Sequence, residues 1–390
     1  MKNFIHLSPH FPPNYKSFSA ALNEEGVQVF GLGDMHYDQL DPVLKSAFTD
    51  YYRVDDLHNY DQLVRALGYF TYHHGKIDGI DSHNEYWLET EARLRTDFNI
   101  PGIKSVEIEK IKKKSAMKEV FRKAGLTVVE GVKVSNFKNA EAFVLQYGFP
   151  VIAKPDSGVG AANTYKINNH FELEVFFNEK AAVPYFMEQF IEGKIQSFDG
   201  LVDKQGNIVF QSVHENRHGV MEVVNENIHT YYFSLRELPE DLVEAGKIAL
   251  KAFKLKGRFF HIEFFREHKT NRLIALEVNM RPPGGYTLEM FNYACDQDLY
   301  KTWAAMKADH PYGLDYEHKY HVAYVSRKNF YDYLFPTEKL LEMFAGEIVF
   351  SAALPEIMSR AMGNYGYLVR SKNMERILEI QRQIHKLKSQ

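Results

Sequence analysis

The 390-residue chain contains a single cysteine, Cys295, so it can form neither an internal disulfide nor a multi-thiolate zinc site. A reducing compartment is the expected setting, with Cys295 as a small apolar filler. No run of about 18 uninterrupted apolar residues occurs, which leaves no candidate membrane-crossing helix. The opening Met1-Lys2-Asn3-Phe4-Ile5-His6-Leu7-Ser8 is too short an apolar run for a secretory signal, and a full-length cytoplasmic protein is expected. Charge of one sign is also missing. With 51 acidic against 47 basic residues the formal net charge is -4, which supplies no general field for nucleic acid or an anionic membrane. Repeats and low-complexity tracts are absent as well. What is there is ordinary globular material, 45% hydrophobic and 25% charged. That length exceeds what one growing core usually fills, so two or three packed subdomains and a small-molecule ligand are expected. Oligomeric state stays open, a homodimer being one option.

The opening pattern is strand (Phe4 to Leu7), helix (Ser17 to Glu25), strand (Val27 to Phe30), a βαβ start that predicts a parallel sheet. Gly31-Leu32-Gly33-Asp34 lacks the third glycine of a dinucleotide fingerprint and follows the second strand rather than the first. Helical spacing returns at Asn59 to His73 and Glu85 to Asp97, and one lysine-rich helix is predicted from Glu107 to Ala124. From Thr127 to Leu276 the texture changes to short strands with a few helices between them, an α+β arrangement able to clamp a ligand between antiparallel sheets. The tail adds strands near Tyr320 to Ser326 and Gly366 to Val369 and a last helix, Asn373 to Leu387.

Two places carry chemistry. Val151-Ile152-Ala153-Lys154-Pro155 runs a strand into Asp156-Ser157-Gly158-Val159-Gly160-Ala161-Ala162, so a lysine at a strand end faces a small-residue loop whose amides can approach phosphate oxygens. No Gly-Lys-Ser/Thr follows, which excludes a Walker loop. Farther on, His261 and Glu263 share one face of a strand, and Glu277 and Asn279 share one face of the next. If those strands pair, two carboxylates and an amide oxygen converge, the hard oxygen donors that magnesium accepts. Arg281-Pro282-Pro283-Gly284-Gly285 then follows as a rigid turn bearing a cation.

In this order the motifs resemble the ATP-grasp superfamily over roughly residues 100 to 290. The resemblance implies an N-terminal parallel α/β domain (1–105), a lid subdomain with a lysine-bearing helix and glycine-rich loop (106–195), and a C-terminal clamp with the metal site (196–390). It implies ATP and magnesium or manganese as cofactors. Lys114, or its neighbour Lys113, stands where the family places its first ATP lysine, ahead of Gly125. Lys154 matches the second, and Gly158 and Gly160 match the loop over the phosphates. Tyr185-Phe186-Met187-Glu188-Gln189-Phe190-Ile191 resembles the adenine hinge, with Glu188 accepting from the amino group and the backbone of Gln189 and Ile191 meeting the ring edge. Where relatives often hold the ribose with Glu, this chain has Ile195 or Gln196. Glu263, Glu277 and Asn279 match the metal ligands, Arg281 the arginine on the reacting phosphate or carboxylate, and Gly284-Gly285 the substrate-side turn. The branch it looks most like joins an amino acid or other carboxylate to an amine through an acyl phosphate, with Lys154 and Arg281 in the catalytic roles. His214, Arg217 and His261 would face the substrates, and no nucleic acid or membrane partner is implied.

Three other readings are weighed. A carboxylase-like relative would make carboxyphosphate from bicarbonate, although no biotin-acceptor motif is evident. A nucleotide-binding protein without catalysis would not need a complete magnesium set. His214-Glu215-Asn216-Arg217-His218 spells the zinc-peptidase string, but that chemistry needs a helix, and the string lies between strand-like Ile208 to Val213 and Gly219 to Val224.

Overall fold

The computed structural model describes residues 1–158, 163–217, 219, 223 and 227–388. β1 (Asn3–Leu7), β2 (Gln28–Gly33), β3 (Asp50–Arg53) and β4 (Gly79–Asp81) form a parallel sheet in the order β3-β2-β1-β4. Parallel neighbours need crossovers, which helices Lys16–Glu24 and Tyr60–His74 help to supply. In helix Tyr60–His74 the buried residues Leu63, Ala66, Leu67 and Phe70 recur three and four apart, and Asn59 caps the start by accepting from the Gln62 amide. That stripe packs on Ile5, Leu7, Phe30 and Leu32. The other sheet face, Phe4 and Val29, runs through Phe18 and Leu22 into a core shared with Tyr300 and Trp303. Phe4 meets Trp303 edge to face with centroids 5.5 Å apart, so the N-terminal sheet and the distant C-terminal helices share apolar packing.

β5 (Gly131–Val134), β6 (Val151–Pro155), β7 (Tyr165–Ile167) and β8 (Tyr185–Gln189) make a small antiparallel sheet in the order β5-β8-β6-β7. Helices Phe137–Tyr147 and His170–Glu179, each capped by an asparagine, bury Phe143, Val144 and Phe176 against it.

The third sheet is antiparallel throughout. It is built from β9 (Gly193–Val202), β10 (Ile208–Asn216), β11 (Tyr231–Ser234), β12 (Arg258–Glu267), β13 (Leu273–Asn279), β14 (His321–Arg327), β15 (Ile348–Ala353) and β16 (Tyr365–Ser371), in the order β13-β12-β9-β10-β11-β14-β16-β15. Helix Glu240–Phe253 lies on it so closely that a Cβ at Gly246 would fall 2.1 Å from Phe198, which explains a glycine inside a helix. No helix among the described residues is long and apolar enough to cross a membrane.

Two expectations change here. The single helix from Glu107 to Ala124 is two, Ser105–Lys112 and Lys114–Lys123, with Lys113 extended between them at φ -89°, ψ 119°. The second helix was expected with the 106–195 unit, yet Met117 and Phe121 insert into the core of the eight-stranded sheet beside Phe198, Phe260 and Val278. β11 and β15 were not expected: four and six residues of local pattern are too little to distinguish a strand from a loop.

Candidate active site

A cleft of about 900 Å³ is lined by both antiparallel sheets and by the turn after β13. Its floor follows from strand alternation. Glu263 on β12 sits directly opposite Glu277 on β13, and His261 sits opposite Asn279. Successive side chains alternate faces, so His261, Glu263 and Phe265 line the cleft together with Glu277 and Asn279. Phe264 pairs with Ala275, which leaves Leu276 as the extra residue of a β-bulge. The bulge lets Leu276 and Glu277, although adjacent, both line the cleft.

Cations come from the other side. Asp156, at the end of β6, accepts from the Ser115 amide at 2.8 Å and the Ser115 hydroxyl at 2.9 Å, while its carbonyl accepts from the Lys114 amide at 2.8 Å. This cap from a distant strand starts the helix at Lys114 and accounts for the break at Lys113. Lys114 Nζ then lies 3.6 Å from Glu277 Oε1 and 3.5 Å from the Gly158 carbonyl oxygen. Lys113 faces solvent and pairs with Glu109 at 2.5 Å. Gly160 lies outside the described residues. At Gly158 a Cβ would meet Pro155 at an ordinary 3.6 Å, so packing alone does not require glycine there.

Glu188 is placed differently from its expected role. Its carboxylate takes Lys154 at 2.5 Å and Lys118 at 2.8 Å, so two ammonium groups occupy the acceptor that was expected to meet adenine. Burial pushes the Glu188 carboxyl up, but the two lysines outweigh it and hold it at about 2. Lys118 carried no recognisable signal beyond its place in a lysine-rich helix. A carboxyl depressed in this way stabilises the fold above its ordinary 4.5, and that stabilisation is lost as pH falls toward about 2. Glu188→Gln is therefore expected to lower the thermal midpoint at pH 7 and to converge on the parent in acid; an equal gap across the whole range in melting curves would contradict the pairing.

Arg281 donates to Glu85 at 3.0 Å and to the Pro282 carbonyl at 2.8 Å. Glu85 opens the short 3₁₀ helix Glu85–Trp87 and also lies 3.4 Å from Lys112, so a residue of the N-terminal part orients the cleft arginine. Sequence reading missed Glu85, whose neighbours carry no motif. The glycine turn is tied to the same part: Tyr15 donates to the Pro283 carbonyl at 3.3 Å and Asn14 to that of Gly285 at 3.2 Å. Gly285 has φ +66°, and a Cβ there would fall 2.4 Å from Met362, whereas Gly284 has open space around it.

Three neighbouring strands of the third sheet, β12, β9 and β10, bring together a buried polar cluster. Asp199, wholly buried on β9, bonds His261 Nδ1 at 2.5 Å, His214 Nδ1 at 2.7 Å and the Ser197 hydroxyl at 2.6 Å. His261 Nε2 faces Glu263 at 3.4 Å. Burial pushes His261 down, but Asp199 and Glu263 outweigh it and raise it to about 10. With both ring nitrogens turned to carboxylates, His261 supports Glu263 rather than facing a substrate. Burial likewise pushes Glu263 up, and His261 more than offsets that, leaving it low. Glu277 is raised: burial dominates, Lys114 opposes it, and Glu85 and Glu263 add to it.

His214 and Glu215 belong to strand β10, not to a helix, which removes the zinc-peptidase geometry; His218, like Val220, Met221, Glu222 and Val224, lies outside the described residues. No group of three His, Cys, Asp or Glu among the described residues is placed to hold a metal alone. The two carboxylates and the Asn279 amide nevertheless fit a hard divalent ion completed by phosphate oxygens, since the half-buried Glu277 carboxyl is raised and its ionised form lacks full compensation. Lys114, Lys118, Lys154 and Arg281 already meet the carboxylates of Glu277, Glu188 and Glu85, so an entering triphosphate needs divalent ions to offset its charge. At the expected ribose position Ile195 lines the cleft, while Gln196 donates to Glu215 at 2.9 Å. Glu192, Glu215 and Arg217 also line it.

The ATP-grasp domain pattern matches residues 147–289. An L-arginine-specific L-amino acid ligase of Bacillus subtilis is 26% identical over 220 residues, 54% of this chain and 53% of that protein, so the match spans about half the length of that relative. Among solved structures, an L-amino acid ligase from Bacillus licheniformis superposes with a TM-score of 0.76 at 15% identity, covering 98% of this chain and 97% of that one. The biotin carboxylase domain of the Hydrogenobacter thermophilus 2-oxoglutarate carboxylase, solved with MgADP and bicarbonate, gives 0.71 at 17% identity, covering 98% and 88%. At such identities the structural likeness establishes the fold. Residues 147–289 match the ATP-grasp domain, and the chain as a whole carries the fold of these solved structures.

Proposed function

We propose that the protein is an ATP-dependent, ADP-forming carboxylate–amine ligase that makes an amide or peptide bond through an acyl phosphate. The observation that carries this is Glu263 opposite Glu277 beside Asn279, with Lys114 3.6 Å from Glu277 and Lys154 in the same cleft. The relative named as an amino acid ligase supports the branch. Ile152, Ile191 and Phe265 give the cleft an apolar lining suited to adenine, with the backbone of Gln189 and Ile191 at its edge. Lys114 and Lys154 bind phosphate oxygens, and Arg281, oriented by Glu85, steadies the transferred group. Glu263, Glu277 and Asn279 would hold magnesium or manganese, which offsets phosphate charge when bound. A substrate carboxylate oxygen attacks the terminal phosphorus and ADP leaves; an amine nitrogen then attacks the acyl carbon and phosphate leaves. Gly284, Gly285, His214 and Arg217 line the substrate end of this scheme. A small carboxylate, a small amine and a cytoplasmic setting belong to the same reading.

The test is ADP release with magnesium across pairs of amino acids, and separately with bicarbonate. Stimulation by particular pairs is expected, with a product whose mass is that of the pair less water, and loss on Lys154→Ala. Bicarbonate stimulation without any amine would replace this reading with carboxyphosphate synthesis. Magnesium-independent ATP binding without turnover would replace it with a silent nucleotide-binding protein.

A further inference from the structure

His214 stands on β10 opposite Ser197 and lines the cleft near Tyr232 and Thr287. Its Nδ1 is 2.7 Å from Asp199 Oδ2. Burial pushes the Asp199 carboxyl up, yet its histidine partners outweigh that and hold it at about 2, so it is a carboxylate and can only accept. Nδ1 therefore carries the proton of that hydrogen bond, which leaves Nε2 as the nitrogen able to accept. That Nε2 is buried and has no hydrogen-bond partner among the described residues. An unpaired buried polar atom destabilises the empty site, a cost that a ligand donating to Nε2 would remove. His261 cannot serve in the same way, because carboxylates face both of its nitrogens.

We propose that His214 accepts a proton from the amine substrate, with Asp199 holding its ring in the accepting tautomer; the inference rests on the ligase reading. An amine enters as an ammonium ion with no lone pair to attack. One proton passes to Nε2, and the freed nitrogen pair forms the C–N bond. The acyl carbon–oxygen bond to phosphate breaks, phosphate leaves with that electron pair and takes the second proton from the nitrogen, and Nε2 later yields its own proton to water. The groups facing the ring are Asp199 from β9, Tyr232 from β11 with centroids 6.2 Å apart, Phe291 from helix Thr287–Cys295 at 5.1 Å, and His318 from the segment before β14. Glu215, next on the same strand, is paired with Lys194.

Hydroxylamine separates the possibilities, because it is already neutral at pH 7 and needs no base. The full chain and His214→Asn, which keeps a donor toward Asp199 but deletes Nε2, are compared with ATP, magnesium, the activated carboxylate and either hydroxylamine or an amino acid as acceptor. Amide formation is expected to fall on the order of 10²-fold in the variant and to climb with pH as free amine accumulates, while hydroxamate formation falls far less. Equal loss on both acceptors, or undiminished amide formation, overturns the proposal. If the parent forms no hydroxamate with any carboxylate, the ligase reading itself fails and takes this inference with it. Should His214→Asn lose the ATP-induced thermal shift that reports folding, His214→Gln decides by the same comparison.

Discussion

Glu277→Gln is expected to melt at a higher temperature than the parent in the absence of ligand and to lose magnesium-dependent ADP release by at least about 10²-fold. The two effects have one cause. The carboxyl is raised above its ordinary 4.5 by burial, with Glu85 and Glu263 adding to the shift and Lys114 only partly opposing it. A raised carboxyl is harder to ionise folded than unfolded, so its ionised form costs stability, increasingly as pH rises from 4.5 through the folded value. Glutamine removes that cost together with the anionic metal ligand. Melting curves of the two proteins should separate at neutral pH and converge below 4.5, and only the parent should gain stability from magnesium with ATP. A variant that melts lower at pH 7, or one that keeps its turnover, would show that Glu277 is not a strained ligand awaiting a cation.

Lys114→Ala and Lys113→Ala should behave as opposites although the residues are neighbours. Lys114 is buried, 3.6 Å from Glu277 and against the Gly158 carbonyl, in the cleft where phosphate charge would be placed. Removing a charged donor from such a site costs on the order of 10²–10³-fold in turnover. The Lys113 side chain holds only an exposed pair with Glu109, which solvent screens, so its loss should leave turnover and melting nearly unchanged. Comparable losses in both variants would mean that the helix start, rather than the ammonium at Lys114, is what matters.

Much of this arrangement could be read along the chain. Strand alternation put Glu263 with His261 and Glu277 with Asn279, and the antiparallel register of β12 and β13 brings those pairs face to face. The stripe in helix Tyr60–His74 and the strand running into the loop at Lys154 were equally legible. The start of the helix at Lys114 was not, because its cap is Asp156, 41 residues in sequence from Ser115, whose amide it accepts. Nor was Glu188 legible as a partner of lysines, since Lys118 and Lys154 reach it from a helix and a strand that meet only in the folded chain. Asp199 reads as one more residue of a buried strand, yet it joins two histidines from β10 and β12.

Residue order alone settles which residues can share a face, where small residues leave backbone open, and that hard oxygen donors and ammonium groups are present in a workable order. Those properties depend on dihedral preferences and side-chain chemistry within a few residues. Folding was needed to choose which of two adjacent lysines enters the cleft, to turn Leu276 and Glu277 to the same side through a bulge, and to bring Glu85 from the N-terminal part onto Arg281. Such choices are set by pairing register and by contacts between segments far apart in the chain, where the energy of a buried charge depends on every neighbour that burial brings to it.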